Sequence, residues 1–394
     1  MSIDPIVIVN GARTPMGGLQ GAFASVSAPE LGAIAIASAI SRSGMEPNNV
    51  DEVFMGCVLP AGVNQAPARQ AALGAGIPNT AGAVTINKVC GSGMQAAMFG
   101  ADTLRAGNAD VVICGGMESM SNAPHMIANA RSGVRTGHAQ LRDHMFTDGL
   151  EDAYTGRAMG SFAQETADAH NITREEMDAF AIESLKRAKA AIEDGRMAGE
   201  IAPVTVKSRR GETVVEHDEQ PFAANIEKIP NLRPAFAKDG TITAANASSI
   251  SDGASALLMM RQSDALALGL KPMARLVAQS RNSQLPAEFT LAPIGAIEKV
   301  LALAEWHIND VDLFEINEAF AMVTMLAMRG LNLDHSKVNV HGGACALGHP
   351  LGSSGSRLIV SLMHQLAHYG KSRGVASLCI GGGEATAVAI ERIV

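Results

Sequence analysis

Two cysteines in this chain stand where thiol chemistry becomes possible. In Lys88-Val89-Cys90-Gly91-Ser92-Gly93 an apolar strand gives way to an apolar helix, with Cys90 at the junction. A helix N-terminus offers unpaired N–H groups and partial positive charge, and both stabilise a thiolate. Cys90 should therefore be more reactive than a free thiol. The glycines allow a sharp turn and close approach of a substrate. On this motif alone, a nucleophile and a small buried structural cysteine are equally good readings. Cys379 lies at the end of the apolar run Ser377 to Ile380, one residue before its last, and Gly381-Gly382-Gly383 follows. Such a glycine run lets N–H groups point at an anion, as an oxyanion hole needs, or forms a flexible turn. His349, between Gly348 and Pro350, reads as part of an exposed, rigid turn. An imidazole beside a thiol is the usual means of activating it. Asn317 and Glu318 follow the strand-like Phe314-Glu315-Ile316, at the carboxyl end of a sheet, where α/β sites form. Asn317 would also serve as a helix N-cap. Cys114 ends the matching strand of the first half and reads as structural.

These residues need strands and helices to hold them. Strands are expected at Ile6 to Val9, Val50 to Met55, Thr85 to Val89 and Val111 to Cys114, the last ending in Gly115-Gly116. Helices are expected at Pro29 to Ser41, Ala66 to Leu73 and Ser92 to Arg105. Strands apolar on every residue must be buried on both faces, which implies sheets covered by helices. The order then recurs. Val50 to Phe54 resembles Val311 to Phe314, Gly93 resembles Gly355 before the helix Arg357 to His368, and Gly115 resembles Gly381. The spacing between members of each pair is nearly constant, which suggests an internal duplication, with His349 falling near the place of Cys90. The fold class is thus α/β: a duplicated core of two similar halves with an insert. Residues 1–118 and 249–272 form the first half, 119–248 the insert and 273–394 the second half. Within the insert, Thr173-Arg174-Glu175-Glu176 starts a helix to about Glu193. Val204 to Val206 and Thr213 to Val215 make a hairpin.

Composition narrows the function classes. The chain has 394 residues, 47% hydrophobic and 18% charged, too apolar to be disordered. A net charge of −8 and 4% aromatics argue against nucleic-acid binding. No apolar run reaches a membrane span. Five scattered cysteines make no disulfide scaffold and leave at least one thiol free. They show no metal-ligand spacing with the histidines, so no metal is expected. Neither terminus carries a recognisable address, which makes the cytoplasm the default.

Five segments together resemble the thiolases. They are Asn87 to Gly93, Gly115 to His125, Asn317-Glu318-Ala319-Phe320, Gly348-His349-Pro350 and Cys379 to Gly383. The similarity is to acetyl-CoA acetyltransferases and 3-ketoacyl-CoA thiolases and runs from Ile6 to the C-terminus. It implies an α/β/α/β/α core with an inserted loop domain, and a homo-oligomer, a dimer or a tetramer. It implies that Cys90 is acylated, that His349 activates it, and that Cys379 is the acid/base of carbon–carbon bond chemistry. Asn317 with His349 would form one oxyanion site, and the N–H groups of Cys90 and Gly381 the other. Acetyl-CoA, CoA and 3-ketoacyl-CoA would be substrates, with no tightly bound cofactor. The resemblance places Ser248 against the pantetheine arm of CoA. Leu150, Met159, Ala235, Phe236, Ala244, Ala319 and Phe320 would form its apolar lining.

Lys207, Arg209 and Arg210 could meet CoA phosphates, although a solvated hairpin is the simpler reading. Three departures from the family pattern stand out. Ala158 occupies a position where many acetoacetyl-CoA thiolases have histidine. Gln220-Pro221-Phe222 stands where several relatives carry an arginine. Glu384 follows the glycine run, where small or neutral residues are common. The alternatives are a decarboxylating ketoacyl synthase-like enzyme, and a non-catalytic acyl-CoA-binding or thiol redox protein.

Overall fold

The computed structural model describes residues 4–209 and 211–393. The first half contains strands β1 (Ile6–Arg13), β2 (Glu52–Gly56), β3 (Gly82–Ile86), β4 (Val111–Ser119) and β5 (Ser251–Arg261). The second contains β6 (Ala274–Ser283), β7 (Leu313–Ile316), β8 (Arg373–Ile380) and β9 (Glu384–Arg392). With the two-residue strand Gly17–Gly18, they form one ten-stranded sheet, ordered β7-β8-β9-β6-β1-β5-β4-β2-β3.

The strand directions repeat as the duplication requires. In the first half β2 and β4 are parallel, and β4, β5 and β1 follow antiparallel. In the second, β7 and β8 are parallel, and β8, β9 and β6 follow antiparallel. Even a tether is repeated. Asp51 accepts the N–H groups of Asp110 and Val111, and Asp312 accepts those of Ser372 and Arg373. In the sheet the halves join where β1 meets β6, through Val7↔Arg275 and Ile8↔Ala274 among the described residues.

The helices repeat as well: α1 (Ala28–Ser43), α2 (Pro67–Gly74) and α3 (Ser92–Arg105), then α6 (Ala292–Ala304), α7 (Ala321–Leu331) and α8 (Leu351–His368). Side-chain alternation along the strands divides the core between layers. On β5, Leu258 and Met260 pack against α1 and α2, while Leu257 and Met259 pack against α3 and α8. On β9, Val388 and Ile390 face α8, while Ala387 and Ala389 face α6. Helices α3 and α8 thus lie between two half-sheets, each covered on its outer face by its own helix pair. Burying that much apolar surface on both faces of each half-sheet is the main stabilising term.

Between Met120 and Ile250 the chain leaves the sheet. It forms hairpins His125–Ile127 with Leu141–Asp143 and Val204–Ser208 with Gly211–Val215, plus helices α4 (Met159–Ala169) and α5 (Arg174–Glu193). Helix α5 starts where expected, at Thr173-Arg174, with Thr173 and Glu176 forming a capping box.

Some boundaries differ from the sequence expectation. Strand β3 ends at Ile86, not Val89, because the Asn87 side chain accepts the Val89 N–H and Val89 turns left-handed at φ +46°. Strand β4 runs straight through Gly115-Gly116 to Ser119. A Cβ at Gly115 would lie 2.2 Å from the Ser255 carbonyl oxygen, and one at Gly116 1.9 Å from that of Gly352. Those glycines serve close packing rather than a turn. Helix α8 starts six residues earlier than expected, directly after Pro350. Among the described residues, no helix is long and apolar enough to cross a membrane.

Candidate active site

Cys90 sits on a tight elbow between β3 and α3. The Ser92 hydroxyl accepts the Lys88 N–H at 2.8 Å and donates to the Val89 carbonyl at 2.6 Å. Val89, a β-branched residue at positive φ, stores strain that only such an over-determined loop can hold. Gly91 packs closely on β8: a Cβ there would lie 2.4 Å from Ile380 Cδ1. That contact brings the end of β8, and with it Cys379 and Gly381, against the Cys90 loop. The N–H groups of Gly381 and of Cys90 itself lie where they favour the charged form of the Cys90 thiol.

His349 enters from the second half, two residues before α8, just as Cys90 lies two residues before α3. The expected turn is present, but the expected exposure is not. His349 is buried, at 5% exposure, because α8 begins at once and draws it into the core. The Ser354 hydroxyl donates to the Pro350 carbonyl at 2.9 Å, so it accepts from His349 Nδ1–H at 2.5 Å. A neutral ring then carries its lone pair on Nε2, which faces Asn317 Nδ2 at 3.5 Å.

Asn317 is not a helix cap, since α7 begins only at Ala321. Its side-chain oxygen accepts from Arg357 at 3.2 Å, which turns the amide nitrogen toward the imidazole. Arg357 is fully buried and is balanced by Glu315 at 3.2 Å, which Gln365 also bonds.

Burial dominates the protonation states. It pushes His349 down to about 3, with Arg357 adding to the effect. It pushes the Cys90 thiol up to about 11, although the Gly381 and Cys90 N–H groups pull the other way. Cys379 lies well above the ordinary thiol range, from burial and then the nearness of Cys90. Burial thus favours a neutral thiol and a neutral imidazole in the resting site. For Cys90 it works against the N–H donors that the sequence expectation of a stabilised thiolate relied on.

Cys90, His349, Cys379 and Gly381 all line one cavity of about 490 Å³, with Asn317 behind His349. Every residue expected against the CoA arm lines the same cavity: Ser248, Leu150, Met159, Ala235, Phe236, Ala244, Ala319 and Phe320. Ser248 bonds the Ala319 carbonyl through both its N–H and its hydroxyl. Phe236 and Phe289 each meet Phe320 edge-on. Ala158 and Gln220 are also in the wall. Lys207 is exposed and pairs with Glu212, as a solvated hairpin would. Arg210 lies outside the described residues.

Sequence reasoning missed the supporting groups. Ser354 and Arg357 were visible only as polar residues in an apolar helix. Glu118 is fully buried and accepts the N–H groups of Val58, Leu59 and Gly352, tying β4 to the first turn of α8. Burial raises it to about 7 against those donors. Glu384, an unexplained departure, pairs with Lys88 at 2.6 Å.

A duplicated five-layer core with a thiol, an imidazole and a second thiol at one cavity defines a class of protein. The family model for the thiolase N-terminal domain matches residues 6–263, and that for the thiolase C-terminal domain matches residues 270–392. The chain belongs to the thiolase family. An acetyl-CoA acetyltransferase of Pseudomonas aeruginosa is 46% identical over 392 residues, covering 99% of this chain and 100% of that one. One from Schizosaccharomyces pombe is 47% identical over 390 residues, covering 98% and 99%. The crystal structure of the Bacillus anthracis acetyl-CoA acetyltransferase superposes with a TM-score of 0.97 at 41% identity, over 99% of each chain.

Proposed function

We propose that this chain is an acetyl-CoA C-acetyltransferase, joining two acetyl-CoA molecules to acetoacetyl-CoA and, in reverse, cleaving 3-ketoacyl-CoA with CoA. One observation carries the reading: Cys90, His349, Cys379 and Gly381 converge on one apolar cavity, with Asn317 held against His349. Cys90 Sγ attacks the thioester carbonyl as His349 Nε2 takes its proton. Cys379 gives its proton to the departing CoA sulfur, and acetyl-Cys90, a protonated His349 and a Cys379 thiolate remain. The Cys379 thiolate then removes a methyl proton from a second acetyl-CoA. The resulting enolate carbon attacks acetyl-Cys90, and the Cys90 thiolate leaves and takes back its proton from His349. Asn317 with His349 supports one developing oxyanion, and the N–H groups of Cys90 and Gly381 the other. The steps need no resident cofactor.

The CoA arm runs between Ser248 and the apolar wall from Leu150 to Phe320. We assign residues 119–248 as the loop domain that grips it, between core halves 1–118 with 249–272 and 273–394. Pairing of β5 with β1 and β4 supports that division. A homotetramer is supported by exposed apolar side chains on the first hairpin and the loop between its strands, Ile127, Val134 and Leu141. Two thiols that must stay reduced fit a cytoplasmic location.

The test follows loss of the acetoacetyl-CoA enolate absorbance on adding CoA, with mass spectrometry of the enzyme after acetyl-CoA alone. Turnover and an acetyl group on Cys90 are expected. Cys90→Ala should abolish both, whereas Cys379→Ala should keep acylation and lose condensation. No turnover in intact protein would sink the reading. Malonyl-dependent condensation would favour the decarboxylating alternative, and a Cys90–Cys379 disulfide without adduct a redox sensor.

A further inference from the structure

The two loops that meet at the thiol come from different halves of the chain. The Cys90 elbow hangs between β3 and α3. The glycine loop Gly381–Gly383 hangs between β8 and β9, with Gly382 and Gly383 at φ +95° and +90°. Among the described residues, the sheet joins the halves through two residue pairs, on β1 and β6. Across the site itself, the loops are joined by the Gly91–Ile380 contact and by one ion pair, Lys88 Nζ to Glu384 Oε2 at 2.6 Å. Lys88 lies two residues before Cys90, and Glu384 directly follows the last glycine. Each partner is fixed on its own side. The Lys88 N–H bonds Ser92, and the second Glu384 oxygen accepts from the Ser283 hydroxyl at 3.2 Å. The pair is partly shielded, with side chains 20% and 34% exposed. Neither residue lines the cavity.

We propose that Lys88 and Glu384 are positioning residues that clamp the Cys90 elbow to the glycine loop, setting how the Gly381 N–H meets the Cys90 sulfur. This rests on the acyltransferase reading given above. The clamp acts on the oxyanion donors, not on CoA, so its loss affects acylation of Cys90 rather than substrate capture. The other titratable groups facing Cys90 are His349, Cys379 and Glu118, and the clamp leaves them in place.

The experiment is a double-mutant cycle on the full-length protein with Lys88→Met, Glu384→Gln and the pair together, plus Lys88→Arg. Each single loss should lower the Cys90 acylation rate by on the order of tenfold, with KM for acetyl-CoA little changed. The double variant should be no slower than the worse single variant. Lys88→Arg should recover most of the rate. Alkylation of Cys90 by iodoacetamide, followed against pH without substrate, should move to higher pH in both single variants. A change in packing stability alone would shift the melting temperature and not that profile. Additive losses, a change confined to KM, or an unmoved alkylation profile would each overturn the clamp. Failure of the wild-type protein to form acetyl-Cys90 would overturn the acyltransferase reading instead. The alkylation profiles would still decide whether the clamp holds.

Discussion

A neutral thiol and a neutral imidazole at one cavity make proton transfer part of the attack rather than a step completed beforehand. Burial holds Cys90 up to about 11 and His349 down to about 3. Alkylation of substrate-free Cys90 should therefore show a midpoint above the ordinary thiol value of 9.0. A midpoint well below it would mean a preformed ion pair and contradict this account. The tautomer of His349 depends on one hydroxyl. Ser354→Ala removes the acceptor of Nδ1–H, so the proton can move to Nε2 and block the base. A loss in kcat on the order of 10- to 100-fold is expected, with the circular dichroism spectrum unchanged. At this scale the sequence exposed the reacting residues, because cysteines, a histidine and an asparagine stand out at strand ends. It hid their supports. Ser354 pairs across one helical turn, Arg357 reaches Asn317 across 40 positions, and Lys88 reaches Glu384 across 296. Nothing local marks such partners.

The elements deliver these side chains through close backbone approach. Strand β4 passes α8 so tightly that Gly116 has no room for a methyl group beside Gly352. Gly116→Ala must push back the first turn of α8, which directly follows His349. A cost of about 1–3 kcal/mol is expected in denaturant unfolding, since backbone rather than a flexible side chain must yield. The surviving folded enzyme should also lose kcat. Wild-type stability and rate would show that α8 can shift without consequence. Helix α3 was legible from its apolar pattern to the residue, Ser92–Arg105. Strand β3 and helix α8 were not. Hydrogen bonds to Asn87 and the Pro350 turn set their ends, and apolar periodicity does not register either.

For the whole molecule, the buried ionisable groups shape stability against pH. His349 and His341 sit at about 3 and about 4, below the ordinary 6.5. The unfolded chain gains their protons first as pH falls, so they cost stability from 6.5 downward. Glu118 and Glu315, both raised to about 7 from 4.5, bind protons first in the folded state. They add stability as pH falls from 7 to 4.5. The two effects oppose each other, so a shallow profile is expected between about pH 6.5 and 4.5, with a steep fall below. On the alkaline side all five thiols are raised above 9.0, so stability should fall as pH rises past that value. Denaturant midpoints across this range test both limbs. A steady decline from 6.5 to 4.5 would mean the carboxyl groups contribute nothing. The duplication was legible in three matched pairs of residues, but its product, helices α3 and α8 enclosed between two half-sheets, was not. That enclosure has a consequence for ancestry. Two copies of a single half, paired by rotation, would place the same side chain before both central helices. They would present two thiols or two imidazoles, never one of each. A thiol–imidazole partnership at those equivalent positions needs two copies of the half that can mutate independently, as the two halves of this one polypeptide can. Fusion thus allowed the symmetry to be broken where the chemistry demanded two different groups.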